Sequence, residues 1–380
     1  MISIDKSLWG GAEKFDSLLA LIRNSRELGD KQRYLPNEIV DQFKEIGIYR
    51  AFTPDKFGGS GRSPAEFLLA IEAIAAANGS AGWVASFGMN PAYLAALPIE
   101  TIEKIWKDTP DVVFAGGIFP PKPAKRVANG FEINGRWQFG SGSMGASLIG
   151  VGILGDDEGL PRMAVLPREK VEIDQNSWDV HGMTATGSFD LIVKDQVVSE
   201  EWTFIRGSKP TLDSPFFRYP SLGFAAQVLS VCALGIARES IDMVLDMAAG
   251  RVSITGAPNL GERVYAQMDI AKAEAKLRSS RAFFYEATLD AWESITSGDE
   301  LSDCQKSMIR LATSNLTHEC SDVVLSAYKV AGMTSPYYKH HLSRCLRDVH
   351  LPTQHAFMGE ITFQNAGAMM FGHKPLPGYL

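Results

Sequence analysis

Apolar positions recur at helical spacing from Ser7 to Lys107, broken by Pro36, by Pro54 with Gly58-Gly59, and by Asn78-Gly79. This predicts four or five helices. Ser63 is the expected cap of a helix running to about Ala77, and Ser80 of the next, which carries Trp83. After Pro110 the period shortens. β-Branched and aromatic clusters alternate with turn signals at Asn129-Gly130, Asn134-Gly135 and Asp156-Asp157, an antiparallel pattern that reaches about Val198 through segments 147–154, 162–166 and 188–194. That is enough strand for a small barrel or sandwich. Helical spacing returns at Ser221 in three long segments, 221–249, 261–297 and 302–331, the last stopped by Gly332. In the second, Val264, Met268, Ala271, Ala275 and Ala282 form one apolar stripe while Lys272, Glu274, Lys276 and Arg278 solvate the rest. A fourth helix is expected over 353–371, closing an antiparallel four-helix bundle. The pattern reads as α+β, mostly α: a helical domain 1–110, a β domain 111–200 and a helical bundle 201–380.

Composition narrows the function. Of 380 residues, 45% are hydrophobic and 21% charged, which excludes disorder and fibres and supplies a core without staples. The net charge of −7, with no Lys/Arg block, argues against nucleic acid, whose phosphates need clustered cations. Cys232, Cys304, Cys320 and Cys345 fall in no CxxC spacing and sit in apolar stretches, as buried reduced thiols do, so a cytoplasmic location is expected. The start, with Asp5 and Lys6, lacks an apolar signal core, and the most apolar run, 223–237, is broken by Gln227 and Ser230, so no membrane span is expected.

Strong catalytic motifs are missing: there is no P-loop, HExxH, GxSxG or Gly-rich strand-to-helix turn. His350 and His355 are five residues apart with no carboxylate on their face, so no metal is expected. The segment Gly135-Arg136-Trp137-Gln138-Phe139-Gly140-Ser141-Gly142-Ser143 follows a turn and alternates aromatic with small or polar residues. It fits either two core aromatics beside a solvated turn, or a flat wall with a hydroxyl beside it, as a planar ring cofactor needs. Arg251 and Ser253, in a break between long helices, could hold a phosphate or could line a solvated loop.

The order of helices, β domain and four-helix bundle resembles the acyl-CoA dehydrogenase superfamily, and within it the two-component flavin-dependent monooxygenases. Three local matches carry the resemblance. Leu35-Pro36, Gly47, Pro54 and Phe57-Gly58-Gly59 are similar to the superfamily's N-terminal pattern. Trp137-x-Phe139-x-Ser141-Gly142 is similar to the monooxygenase branch's signature at the flavin, with Trp178, Gly182 and Thr186-Gly187-Ser188-x-Asp190 downstream. Arg344-x-x-Arg347-Asp348 followed by His355 resembles the C-terminal Arg-Asp pair leading to the active site.

By that resemblance Ser141 stands where a hydroxyl bonds the flavin's reactive nitrogen, and Phe139 where a ring lies against the isoalloxazine. Gly117 and Ser143 are placed beside the cofactor. Arg251 and Ser253 match the phosphate-binding Arg and a Thr, while Ile254 replaces the usual Phe, leaving FMN or FAD open. The catalytic glutamate of one dehydrogenase branch would fall at Ala356 and is missing; the monooxygenase branch shows a histidine nearby, as His355 does. Trp83 and Asn90 fall at the substrate, Asn90 standing where several phenol hydroxylases keep a histidine that activates the substrate hydroxyl. That departure would suit an electron-rich ring of indole or indole-acetate type; a plain polar helix terminus before Pro91 is the competing reading.

The resemblance implies an oxygenase component that takes reduced FMN or FAD by diffusion from a separate flavin reductase. With O2 it oxygenates a small aromatic substrate through a flavin hydroperoxide, Ser141 and His355 being the catalytic candidates, in a homodimer or homotetramer. The alternatives are an FAD-dependent acyl-CoA dehydrogenase, an N-oxygenase of an amine, and a noncatalytic scaffold.

Overall fold

The computed structural model describes residues 2–155, 161–205, 207–250 and 258–380. Seven helices precede the strands: α1 (Ala12–Asn24), α2 (Arg26–Gln32), α3 (Asn37–Glu45), α4 (Pro64–Ala77), α5 (Gly79–Ala85), α6 (Pro91–Leu94) and α7 (Ile99–Trp106). This is more than the four or five expected, because α2 and α6 are too short to show a helical period. Ser63 does cap α4, in a reciprocal box with Glu66. The cap of α5 is Asn78, whose side chain accepts from the Ala81 N–H, rather than Ser80.

Among the described residues eight strands follow: β1 (Phe114–Pro123), β2 (Lys125–Val127), β3 (Gly130–Gly140), β4 (Leu148–Leu154), β5 (Arg162–Pro167), β6 (Glu172–Asp174), β7 (Phe189–Ser199) and β8 (Thr203–Ile205). They form two four-stranded sheets, ordered β1-β4-β5-β8 and β2-β3-β7-β6. One pair, β1 with β4, is parallel and departs from the antiparallel expectation. The intervening β2–β3 hairpin belongs to the other sheet, so the chain returns to β4 in the same direction.

The bundle is built from α8 (Pro215–Arg218), α9 (Ser221–Gly250), α10 (Val264–Thr296), α11 (Asp303–Ala331), α12 (His341–Thr353) and α13 (Ile361–Met370). The fourth bundle helix is therefore α12, earlier than expected, and the 353–371 segment is broken at 354–360 before α13. The stripe expected on α10 is also displaced: Val264 and Met268 are half exposed or more, and the buried line is Ala273, Leu277, Ser280, Phe284, Thr288, Ala291 and Ile295. Spacings of three and four put these on one face toward α9 and α11.

Helix α9 is the axis. Gln227 and Ser230, which interrupt its apolar run, are fully buried and satisfied by neighbours. Gln227 accepts from the Tyr219 hydroxyl at 2.9 Å and donates to Thr288 Oγ1 at 2.7 Å, and Ser230 donates to the Thr313 carbonyl at 2.9 Å. Helix-to-helix bonds of this kind belong to a bundle core. Among the described residues no helix is long and apolar enough to cross a membrane. Cys232, Cys320 and Cys345 are buried, whereas Cys304, in the first turn of α11, is exposed.

Candidate active site

Strand β3 carries the Ser141 turn. Its pairing with β7 slips between Trp137 and Gly140, and Phe139 takes a positive φ of 65°. A bulge shifts the alternation, so Trp137 and Phe139 do not share a face. Trp137 is fully buried and its indole N–H donates to the Gly152 carbonyl at 2.7 Å, tying one sheet to the other. The two-ring wall is corrected to one ring. Phe139 points outward, 62% exposed, with its ring edge-on to Trp178 at 6.4 Å. A bulky residue held at positive φ costs of order 1 kcal/mol, and such strain concentrates at functional positions.

Ser141 follows directly and is buried, its hydroxyl 2.5 Å from that of Ser188. Ser188 lies 2.7 Å from Thr186, whose hydroxyl donates to the Met183 carbonyl at 2.9 Å. The Gly142 N–H donates to the Thr186 carbonyl at 2.8 Å, so the 141–142 turn and the 183–188 loop form one unit. Gly142, at φ +72°, also sets the turn against helix α5: a Cβ there would stand 3.2 Å from the Phe87 ring and 3.6 Å from Val84 Cγ1.

Trp83, beside Val84, is buried and meets the His355 imidazole edge to face at 6.1 Å, and His355 meets Phe357 at 4.8 Å. The Phe357 N–H donates to His355 Nδ1 at 3.3 Å, so a neutral ring carries its proton on Nε2. Trp83 and His355, 272 positions apart in the chain, are thus brought together, and Ser141 abuts the same helix through Gly142. Asn90 is buried but its side-chain amide donates to the Phe114 carbonyl, joining α6 to β1. This gives it a structural task. Gly117, on β1, runs so close to β3 that a Cβ would meet the Gln138 carbonyl oxygen at 2.5 Å.

The Arg-Asp pair on α12 braces the same region. Arg344 grips Asp30 of α2 at 2.7 Å, and Asp30 accepts from the Thr184 hydroxyl at 2.8 Å. Arg347 donates to Ser343 Oγ at 2.7 Å and lies over the Tyr338 ring. Asp348, buried, accepts the Met183 N–H at 2.5 Å. Burial pushes its carboxyl from the usual 3.8 up to about 6, against the lowering effect of the Met183 bond; Asp30 raises it further, while Arg344 and Arg347 lower it.

A planar ring with a polar edge fits these residues. Phe139 supplies an outward flat face, Ser141 a hydroxyl, and two further polar atoms, Ser143 Oγ and Trp178 Nε1, are buried without a hydrogen-bond partner among the described residues. Arg251, Ser253 and Ile254 lie outside the described residues. No group of three metal-ligating side chains occurs among the described residues. Ala356 opens a short turn directly after His355 and carries no carboxylate. Sequence reasoning singled out Ser141 and His355 but gave no role to Ser188, Thr186, Phe87 or Phe357. Thr186 and Ser188 stood inside a matched motif and Phe357 two residues beyond His355, whereas nothing in the sequence marked Phe87.

Known proteins resemble this chain over nearly its whole length. Residues 20–100 match the acyl-CoA dehydrogenase N-terminal domain and residues 227–360 the acyl-CoA dehydrogenase C-terminal domain. The chain is 54% identical over 371 residues to an indole-3-acetate monooxygenase of Pseudomonas putida, spanning 96% of this chain and 95% of that protein. It is 25% identical over 383 residues to the oxygenase component of p-hydroxyphenylacetate 3-hydroxylase from Acinetobacter baumannii, spanning 96% and 90%. The solved structure of XiaF from Streptomyces sp. in complex with FADH2 and glycerol shares the fold at a TM-score of 0.90 and 17% identity, over 97% of this chain and 96% of that one. The missing base at Ala356 and these relatives agree: the chain belongs to the two-component flavin-dependent monooxygenases of acyl-CoA dehydrogenase fold, as an oxygenase component that takes reduced flavin from a reductase.

Proposed function

We propose that this oxygenase acts on indole-3-acetate or a closely related indolic acid, between the Ser141 turn and the Trp83, His355 and Phe357 cluster. The observation that carries the placement is the imidazole of His355 held against two aromatic rings, Trp83 and Phe357, with Nδ1 accepting the Phe357 N–H. The 54% identical relative is an indole-3-acetate monooxygenase, which supports the substrate class.

Bound reduced flavin supplies the electrons that activate dioxygen. The chain's own residues would do the rest: Phe139 would lie against the ring, Ser141 would meet its reactive edge, and Trp83 and Phe357 would keep water from the reacting face. His355 would hold or move a proton where negative charge develops on oxygen. Arg251 and Ser253 would take the flavin phosphate, and Ser143 and Gly117 would line the approach. Asn90 offers no general base, which suits an indole because that ring is electron-rich without deprotonation.

The test supplies the purified chain with reduced FMN, or reduced FAD, in air, with indole-3-acetate, indole or 4-hydroxyphenylacetate, and follows products by mass spectrometry. Indole-3-acetate should give a product one oxygen atom heavier at the highest yield per flavin consumed. Better turnover of 4-hydroxyphenylacetate would overturn the substrate assignment.

A further inference from the structure

The hydroxyls behind Ser141 can be counted proton by proton. A carbonyl oxygen only accepts, so at 2.9 Å Thr186 must donate its hydroxyl proton to Met183. Each hydroxyl holds one proton. Thr186 therefore accepts from Ser188 at 2.7 Å, and Ser188, its own proton spent, accepts from Ser141 at 2.5 Å. Ser141 Oγ is left presenting lone pairs, and no proton, to whatever lies beyond it.

Reversing the run is costly. It would leave the Thr186 and Met183 oxygens 2.9 Å apart with no hydrogen between them. Bulk water cannot repair that, since Ser141, Ser188 and Thr186 are 7%, 4% and 1% exposed. The anchoring peptide is itself fixed, because Met183 N–H donates to Asp348 on α12 and Thr186 N–H also donates to the Met183 carbonyl. The bundle thus sets the direction of a hydrogen-bond run that ends in the β domain.

We propose that this run makes Ser141 an obligate acceptor and so selects the reduced flavin over the oxidised one, with Ser188 and Thr186 as positioning residues acting through Ser141. The central ring nitrogen of a reduced flavin carries a hydrogen that Ser141 can accept, whereas in the oxidised ring the same nitrogen presents a lone pair to a lone pair. For an enzyme that must draw reduced flavin from a mixed pool, this discrimination limits blocking by the spent form. The inference rests on the placement of Ser141 at the flavin edge.

The test is equilibrium binding to the full-length protein of FMN, and in parallel FAD, oxidised and then reduced anaerobically with dithionite. The quantity read is the ratio of the two dissociation constants. Thr186→Val keeps the side-chain shape but removes the hydroxyl, freeing Ser188 to donate to Ser141 and Ser141 to donate outward. The preference for reduced flavin should fall about tenfold, mainly through tighter binding of the oxidised form, as one redirected hydrogen bond would give. Thr186→Ser should keep the wild-type ratio. Ser188→Ala carries the same expectation as Thr186→Val should that variant not fold. An unchanged ratio in the folded hydroxyl-free variants, or equal loss in Thr186→Ser, overturns the relay. Ser141→Ala separates the two readings: if it binds reduced flavin as the wild type does, the Ser141 placement fails and the relay with it. If it weakens binding while Thr186→Val leaves the ratio untouched, the relay alone fails.

Discussion

At the scale of single residues, the two side chains proposed to act at the flavin, Ser141 and His355, should fail differently. Ser141 is buried at the end of a hydroxyl run, so Ser141→Ala removes a contact without opening a large cavity. Hydrogen peroxide released without product should rise, since one donor or acceptor lost from a dry site is worth roughly 3 kcal/mol, or on the order of a hundredfold in rate. His355 is held by rings rather than by hydroxyls. His355→Ala should slow product formation comparably while affinity for reduced flavin stays within a few-fold. Coupling of oxygen consumption to product, measured beside flavin affinity, separates the two. Normal coupling in the His355 variant together with lost coupling in a His350 variant would move the site to His350, which instead pairs with Ser321 at 3.1 Å.

At the scale of an element, helix α12 carries a carboxyl and an imidazole, Asp348 and His341, with opposite pH signatures. Asp348 holds its proton up to about pH 6 in the folded chain, against 3.8 when unperturbed. The native state therefore binds a proton that the unfolded chain has released, and the associated stability is present below about pH 4 and lost as pH rises through 6. By pH 7 the loss is about 3 kcal/mol. His341 goes the other way. Burial, with Arg26, Arg344, His340 and Arg23 nearby, keeps its imidazole far below 6.5, so its contact with Glu239 at 3.7 Å is not an ion pair. Its stability is complete above 6.5 and is lost as pH falls, because only the unfolded chain takes up the proton. Urea unfolding at pH 5 and pH 7.5 should show Asp348→Asn gaining stability chiefly at 7.5, and His341→Gln gaining chiefly at 5. Parallel gains at both pH values would refute the assignment of these signs to burial.

At the scale of the molecule, helix α10 leaves Val264, Tyr265 and Met268 exposed near its start and Leu289 further along, and Phe139 stands 62% exposed beside the Ser141 turn. Burying such a line against a second copy would remove apolar surface from water at about 25 cal/mol per Å2. Light scattering at micromolar concentration should therefore report a dimer or tetramer, and Met268→Glu, on the exposed line, should shift it toward smaller species. A 41.5 kDa monomer for the unmodified protein would count against that cover.

The order of layers was determined by the sequence alone, because hydrophobic period is a local property: the helical run to Lys107, the strands between Pro110 and about Val198, and the long helices from Ser221 all reappear. So was the identity of Ser141 and His355 as candidates, through short motifs that survive without knowledge of their surroundings. What the tertiary structure decided lies wherever a non-local contact outweighs the local pattern. The bulge at Phe139 turns that ring outward and Trp137 inward, since the Gly152 carbonyl waits across the sandwich for the indole N–H. The stripe on α10 falls on the opposite face, about half a turn away, because α9 and α11 set which side is covered. Helix α12 takes the fourth place in the bundle because Arg344 and Asp348 bind α2 and the Met183 loop, partners that lie more than 160 residues earlier in the chain. The direction of the hydroxyl run from Ser141 to Met183 has no trace in the sequence at all, for it follows from three distances and the rule that a carbonyl cannot donate.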